Sequence, residues 1–261
     1  MKKIHFGLLA AALFLPGFPS FAQAPRQPER VPDGGTREVL ISILIPTLPN
    51  SPFTATVNTE WIRQLADGTA ITLKNHRLIA RDAVGRVFQE RRSLVPDDGK
   101  LESVVTQIEI SDPVSHEQYI CAPYAQVCQL EVFIAPSLVR PPPAAGTAPM
   151  QPLAPGQEFL GKQTIEGLET VGTRETQVIE TGAIGNDGPL LVKREFWYSS
   201  KLGVNLISIR QDPRFGTQKF RVDGVTLGDP EAKLFEAPSG FKIIDLRKPP
   251  EFSSPPAPPQ N

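Results

Sequence analysis

The sequence is poor in the side chains that most enzymes assemble. Its 261 residues hold three histidines, two cysteines, two methionines and two tryptophans. Beyond the N-terminal region the imidazoles are His76 and His116 alone, so a nucleophile with a nearby base has little to draw on. His76 lies in KNHRL, inside a predicted strand, where a solvent-facing or satisfied histidine is the ordinary case. His116 follows Asp112-Pro113 in a loop. No Gly-x-Ser-x-Gly, His-Glu-x-x-His or phosphate-cradling glycine loop occurs. Asp97-Asp98 falls in a turn with no apolar stretch around it to raise a pKa, so paired-carboxylate chemistry has no specific support. Neither an enzyme nor a cofactor or metal site is expected.

Long apolar runs are also missing once Phe18 is passed, so no transmembrane segment is expected in the mature chain. Before it, Met1-Lys2-Lys3, the apolar run Phe6 to Phe18 and Ser20-Phe21-Ala22 read as a signal peptide over residues 1–22. A periplasmic or secreted product is the expectation, and no cysteine follows the apolar run to carry a lipid. Excess charge is absent too. Removing Lys2 and Lys3 leaves 25 basic against 28 acidic side chains, a formal charge near −3. That excludes a general electrostatic case for nucleic acid or an anionic membrane surface.

The two cysteines, Cys121 and Cys128, enclose CAPYAQVC between extended runs. In an oxidising compartment so close a pair is read first as a disulfide, stapling the end of a hairpin. Free or exchangeable thiols are the alternative. A metal reading would need more ligands than His116 supplies, and the spacing is not that of a redox Cys-x-x-Cys.

What the chain has in quantity is turn chemistry, with 28 prolines and 20 glycines. Residues 23–52 read as a loose polar leader and a first strand, the strand candidate being Arg37 to Pro46, or the start of a short helix. From Phe53 short β-branched, alternating runs are separated by turn residues every eight to twelve positions, as at Ala66-Asp67-Gly68-Thr69, Ala83-Val84-Gly85 and Pro96-Asp97-Asp98-Gly99. A single β domain is expected over 53–246, interrupted by a proline-rich excursion at 135–157 and followed by a proline-rich tail at 247–261. Pro230 to Phe235 predicts one helical turn with Asp229 as its cap. No long 3.6-residue apolar period appears. The expected fold class is mainly β, a large curved antiparallel sheet or open half-barrel with few short helices, bending at glycines such as Gly167 and Gly172.

The densest patterned stretch is EFWYSSKLGVNLISIRQDPRFG, Glu195 to Gly216. Alternation places Val192, Arg194, Phe196 and Tyr198 on one face and Lys193, Glu195 and Trp197 on the other. The first set is either a core face or the lining of a concave apolar groove; in the second reading Val192, Phe196 and Tyr198 are the candidate cavity residues. Asp212 before Pro213 is placed to bond the amides of its own turn, and no catalytic partner for Arg214 is visible. Two functions follow as hypotheses: a non-enzymatic exported binding protein for a lipid, acyl chain or apolar peptide, or a structural or protein-interaction module of the cell envelope using edge strands or proline-rich segments.

Several motifs occur together: Gly172-Thr173-Arg174, Gly185-Asn186, Trp197-Tyr198-Ser199, Asp212-Pro213-Arg214-Phe215-Gly216, and Leu234-Phe235 through Pro238 to Phe241. With Leu65–Ile71 and Arg81–Arg92 they resemble an exported, uncharacterised bacterial protein family commonest in acidobacteria, over roughly residues 53–241. More distantly the arrangement is similar to periplasmic lipoprotein carriers and related sigma-factor regulators. That resemblance implies an unclosed β-barrel around an acyl-binding cavity.

Overall fold

The computed structural model describes residues 42–135 and 155–247. The signal peptide, the start of the leader, most of the proline-rich excursion and nearly all of the tail lie outside the described residues.

Thirteen strands form one sheet: β1 (Phe53–Gln64), β2 (Ala70–Arg81), β3 (Val87–Arg92), β4 (Val95–Pro96), β5 (Val105–Asp112), β6 (Glu117–Ala122), β7 (Val127–Val132), β8 (Gln157–Ile165), β9 (Leu168–Ile179), β10 (Leu190–Ser199), β11 (Val204–Asp212), β12 (Gly216–Leu227) and β13 (Lys242–Asp245). Their order is β13-β7-β6-β5-β3-β2-β1-β12-β11-β10-β9-β8, with β4 beside β2. Two meanders, β1 to β7 and β8 to β12, therefore meet along β1 and β12, where Phe53 pairs with Leu227 and Ile62 with Thr217. The sheet is open at β13 and β8.

Alternation decides the two faces. In β1, Phe53, Ala55, Val57, Thr59 and Trp61 are buried, and the residues between them are half-buried or exposed. Across the ladders this set continues into Ile79 of β2 and Phe220 and Val222 of β12. With Val87, Leu202, Val204 and Leu206 they form the main core, closed from above by Ile43 and Ile45. On the other face Ala80, Phe88 and Ile110 pack around Phe235.

The sequence reading needs correcting at four places. Residues 42–48 are not a strand: they carry no regular secondary structure and cross the main-core face as an extended strap. Pro46 and Pro49 lack the N–H groups a ladder needs. Gly167 does not bend a strand; with Glu166 at φ 51° and Gly167 at φ 71° it makes the two-residue turn between β8 and β9. The irregular pairings at Phe159/Gly161 and Trp197/Tyr198 lie on either side of Gly172, the other glycine named for a bend. The Glu166 carboxylate accepts the Gly224 and Val225 amides of β12, so this end of the sheet curls back on itself. Asp229 does not cap the single 3₁₀ turn at Ala232–Phe235; it accepts the Ala83 amide at 2.8 Å. Finally, β13 lies parallel to β7, because the segment after β12 crosses the second core and enters the far edge from above.

Candidate functional site

The main-core face carries two charges where a core should have none. Arg81 is wholly inaccessible to solvent and Arg77 is 3% exposed. Both sit on β2, four residues apart, and so on one face of the strand. Arg81 donates from Nε and Nη2 to the Ser51 carbonyl at 3.0 and 2.8 Å, from Nη1 to Pro46 at 2.9 Å and from Nη2 to Leu202 at 2.6 Å. Its guanidinium also lies 5.0 Å from the Phe53 ring centroid. No carboxylate pairs with it among the described residues. Burying an unpaired cation costs several kcal/mol. Four bonds from a charged donor, at about 1.5–3 kcal/mol each, are enough to hold it there. Burial pushes the guanidinium down to about 10, with the Tyr198 hydroxyl acting in the opposite direction.

Arg77 treats the other end of the strap likewise, donating to Ser42 Oγ and to the Ile43 carbonyl at 3.0 Å each, and to Gln89 Oε1 at 3.0 Å. Beyond it, Glu109 collects N–H groups from Gln89, Arg91 and Gln107. The strap is thus gripped through its main chain by arginines and through Ile43 and Ile45 by the core. At the β2–β3 turn, a Cβ on Gly85 would come within 3.3 Å of the Pro49 nitrogen, so the two backbones nearly touch.

Beyond the described residues of the strap, the same face continues over β9 to β12. Its register sets Glu175, Arg194, Arg210, Gln218 and Trp61 side by side across five strands, and Thr173, Phe196, Ser208 and Phe220 in the next row. Arg210 and Arg214 converge on Asp212. Arg214 gives Nε and Nη2 at 2.9 and 2.7 Å and its own amide at 3.1 Å, and Arg210 gives Nη2 at 3.0 Å. These donors, led by the Arg214 guanidinium, hold the Asp212 carboxyl down at about 2. Arg214 therefore has its partner inside its own turn.

Of the candidate cavity residues, Val192 is 3% exposed and, with Arg194, Gln157, Glu175 and Gln177, lines a cleft of about 280 Å³. Phe196 lies half-buried between Thr173 and Ser208, and neither it nor Tyr198 lines that cleft. Tyr198 points its hydroxyl toward Gly203, beside Arg81; burial raises its pKa and the Arg81 charge opposes the rise. A second cleft of about 290 Å³ is lined by Pro113, His116, Phe133 and Ile134. His76 and His116 are both exposed, and no group of three or more His, Cys, Asp or Glu among the described residues could hold a metal ion. Asp97 pairs with Lys74. Cys121 and Cys128 are joined in a disulfide across directly opposed positions of β6 and β7. Sequence reasoning missed Arg77 and Arg81. The available signal was two arginines at even spacing in NHRLIARD, sharing a strand face with Ile79.

No protein-family model matches the chain, and no curated protein is similar to it in sequence, so the exported family remains a resemblance. Solved structures show distant similarity. An uncharacterized conserved protein from Thermus thermophilus is 9% identical over 75% of this chain and 91% of its own, at a TM-score of 0.37. The Pseudomonas aeruginosa MucA/MucB complex is 14% identical over 74% of this chain and 58% of that one, at 0.38, so this chain spans little more than half of its length. A LolA superfamily protein from Nitrosomonas europaea is 11% identical over 72% and 91%, at 0.28. Likeness at this level is one of fold alone and assigns neither ligand nor partner.

Proposed function

We propose that the protein is a non-enzymatic, extracytoplasmic interaction module that takes an extended segment of an envelope protein along the main-core face of its sheet. The observation that carries this reading is the strap. This face already receives an extended chain, read through main-chain carbonyls by Arg77 and Arg81 and through two isoleucines by the core. Among the described residues no strap lies over the row on β9 to β12, where Arg194, Phe196 and Ser208 are half-buried. An acyl or lipid ligand has less support. The cleft of about 280 Å³ is lined largely by polar side chains, and neither Phe196 nor Tyr198 lines it.

A photo-crosslinking residue at Ser208, on this face, tests the reading against one at Lys219, on the opposite face, in cells making the full chain. Discrete protein adducts from Ser208 and none from Lys219 are expected. Adducts independent of the face, or a lipid retained in native mass spectrometry after gentle purification, would overturn it.

A further inference from the structure

Resting on that reading, the geometry points to a carboxylate-reading subsite at Arg194, Arg210 and Gln218, and hence to a partner segment that presents an acidic side chain there. Arg194 and Arg210 are directly opposed on β10 and β11. Like charges placed so are destabilising, and an apolar or neutral residue would be the stable choice at either position. Arg210 directs one N–H at Asp212, and its Nε is buried without a partner. Arg194, half-buried beside the cleft floored by Val192, has no ion pair or hydrogen bond among the described residues. Glu175, its neighbour on β9, takes the Gln157 amide instead. Two arginines thus stand at opposed positions with donors to spare, and guanidinium forks of this kind accept a carboxylate in two-point fashion.

Gln218 decides which kind of anion fits. It is 4% exposed, lies next to Arg210 in the same row, and its Oε1 is buried with no donor. A free carboxylate or chloride bound at the arginines would leave that acceptor unmet, because neither carries a proton to give it. An aspartate or glutamate in an extended peptide brings both halves: a carboxylate for the arginines and, close by, a main-chain N–H for Gln218. Leaving a buried acceptor unpaired costs about 1–3 kcal/mol, so the matched set favours a peptide over a bare anion. The Asp212 carboxylate does not fill the subsite, because Arg214 and one Arg210 N–H already saturate it.

The test uses the full mature chain and two labelled peptides, acetyl-(Thr-Glu)₄-amide and acetyl-(Thr-Gln)₄-amide, with binding read by fluorescence anisotropy at fixed ionic strength. The Glu peptide should bind at least tenfold tighter. Arg194→Gln should remove that preference, Arg194→Lys should keep part of it, and Lys193→Gln on the other face should leave it intact. Arg194 holds no partner among the described residues, so its variants test recognition rather than folding. Equal binding of the two peptides, no binding of either, a preference that survives Arg194→Gln, or displacement by equimolar inorganic phosphate would each overturn the inference. If the peptide tests fail in any of these ways while Ser208 adducts still form, the interaction reading stands and the acidic subsite alone has failed.

Discussion

Replacing Asp212 with asparagine puts the electrostatics of the β11–β12 turn to a direct test. The carboxyl is buried and held from 3.8 down to about 2, chiefly by the Arg214 fork. At 1.36 kcal/mol per pKa unit, that difference is worth about 2.5 kcal/mol of stability at pH 7. Asparagine also leaves Arg210 and Arg214, with side chains 19% and 33% exposed, facing an amide that cannot neutralise them. A total loss of about 3 kcal/mol is expected. A carboxyl depressed in the folded state stabilises the fold above its unfolded-state value, and the effect fades as pH falls from about 4 to about 2. By pH 3 roughly half of the 2.5 kcal/mol should be gone, and the two proteins should converge. Urea unfolding at pH 7 and pH 3, followed by tryptophan fluorescence, measures this. Trp61 is well placed as a reporter, since its indole N–H bonds the Phe215 carbonyl in the same turn at 2.7 Å. A loss below about 1 kcal/mol at pH 7, or a difference that does not shrink at pH 3, would refute the argument.

Three further outcomes follow from the packing. Arg81→Leu strips the Pro46, Ser51 and Leu202 carbonyls of their donor, so the strap should loosen while the sheet persists. Exchange of the Leu48 and Asn50 amides, bonded to Pro46 and Ala83, should rise at least tenfold by hydrogen–deuterium exchange, corresponding to about 1.4 kcal/mol. Replacing both Cys121 and Cys128 with serine should cost about 2–3 kcal/mol by the chain-entropy estimate for so short a loop, read as a lower urea midpoint that reductant no longer changes. Gly216→Ala should destabilise well beyond the roughly 1 kcal/mol expected at Gly68, where φ is +85° and nothing is near, because a Cβ at Gly216 would overlap the Ile62 carbonyl as well as straining a φ of +87°. Thermal melts of the two variants give the comparison.

The parts of the fold governed by neighbours in sequence were legible. Asp67-Gly68 fixes its hairpin through the Thr69 amide and hydroxyl, and Asp212-Pro213 fixes the next by the same local bonding. The alternation of Phe53, Ala55 and Val57 named its buried face outright. What depended on distant residues was not. Ile43 and Ile45 alternate like a strand, and only Arg77 and Arg81, more than thirty residues on, make that segment a strap. Asp229 looks like a cap until the Ala83 amide is brought to it by the crossing segment. The row through Arg194 and Arg210 has no motif at all, because its members come from five strands aligned by register.

The meeting of the two meanders at β1 and β12 also governs the order in which the chain can fold. Each meander is a run of local hairpins that can form quickly on its own. The pairing of β1 with β12, such as Asn58 with Arg221, must wait until almost the whole chain is present, and the Arg81 bond to the Leu202 carbonyl until most of it is. A chain made N-terminus first holds the β12-facing edge and apolar face of β1 open until most of it has been synthesised. Its slowest folding step should therefore be the closure of the central seam.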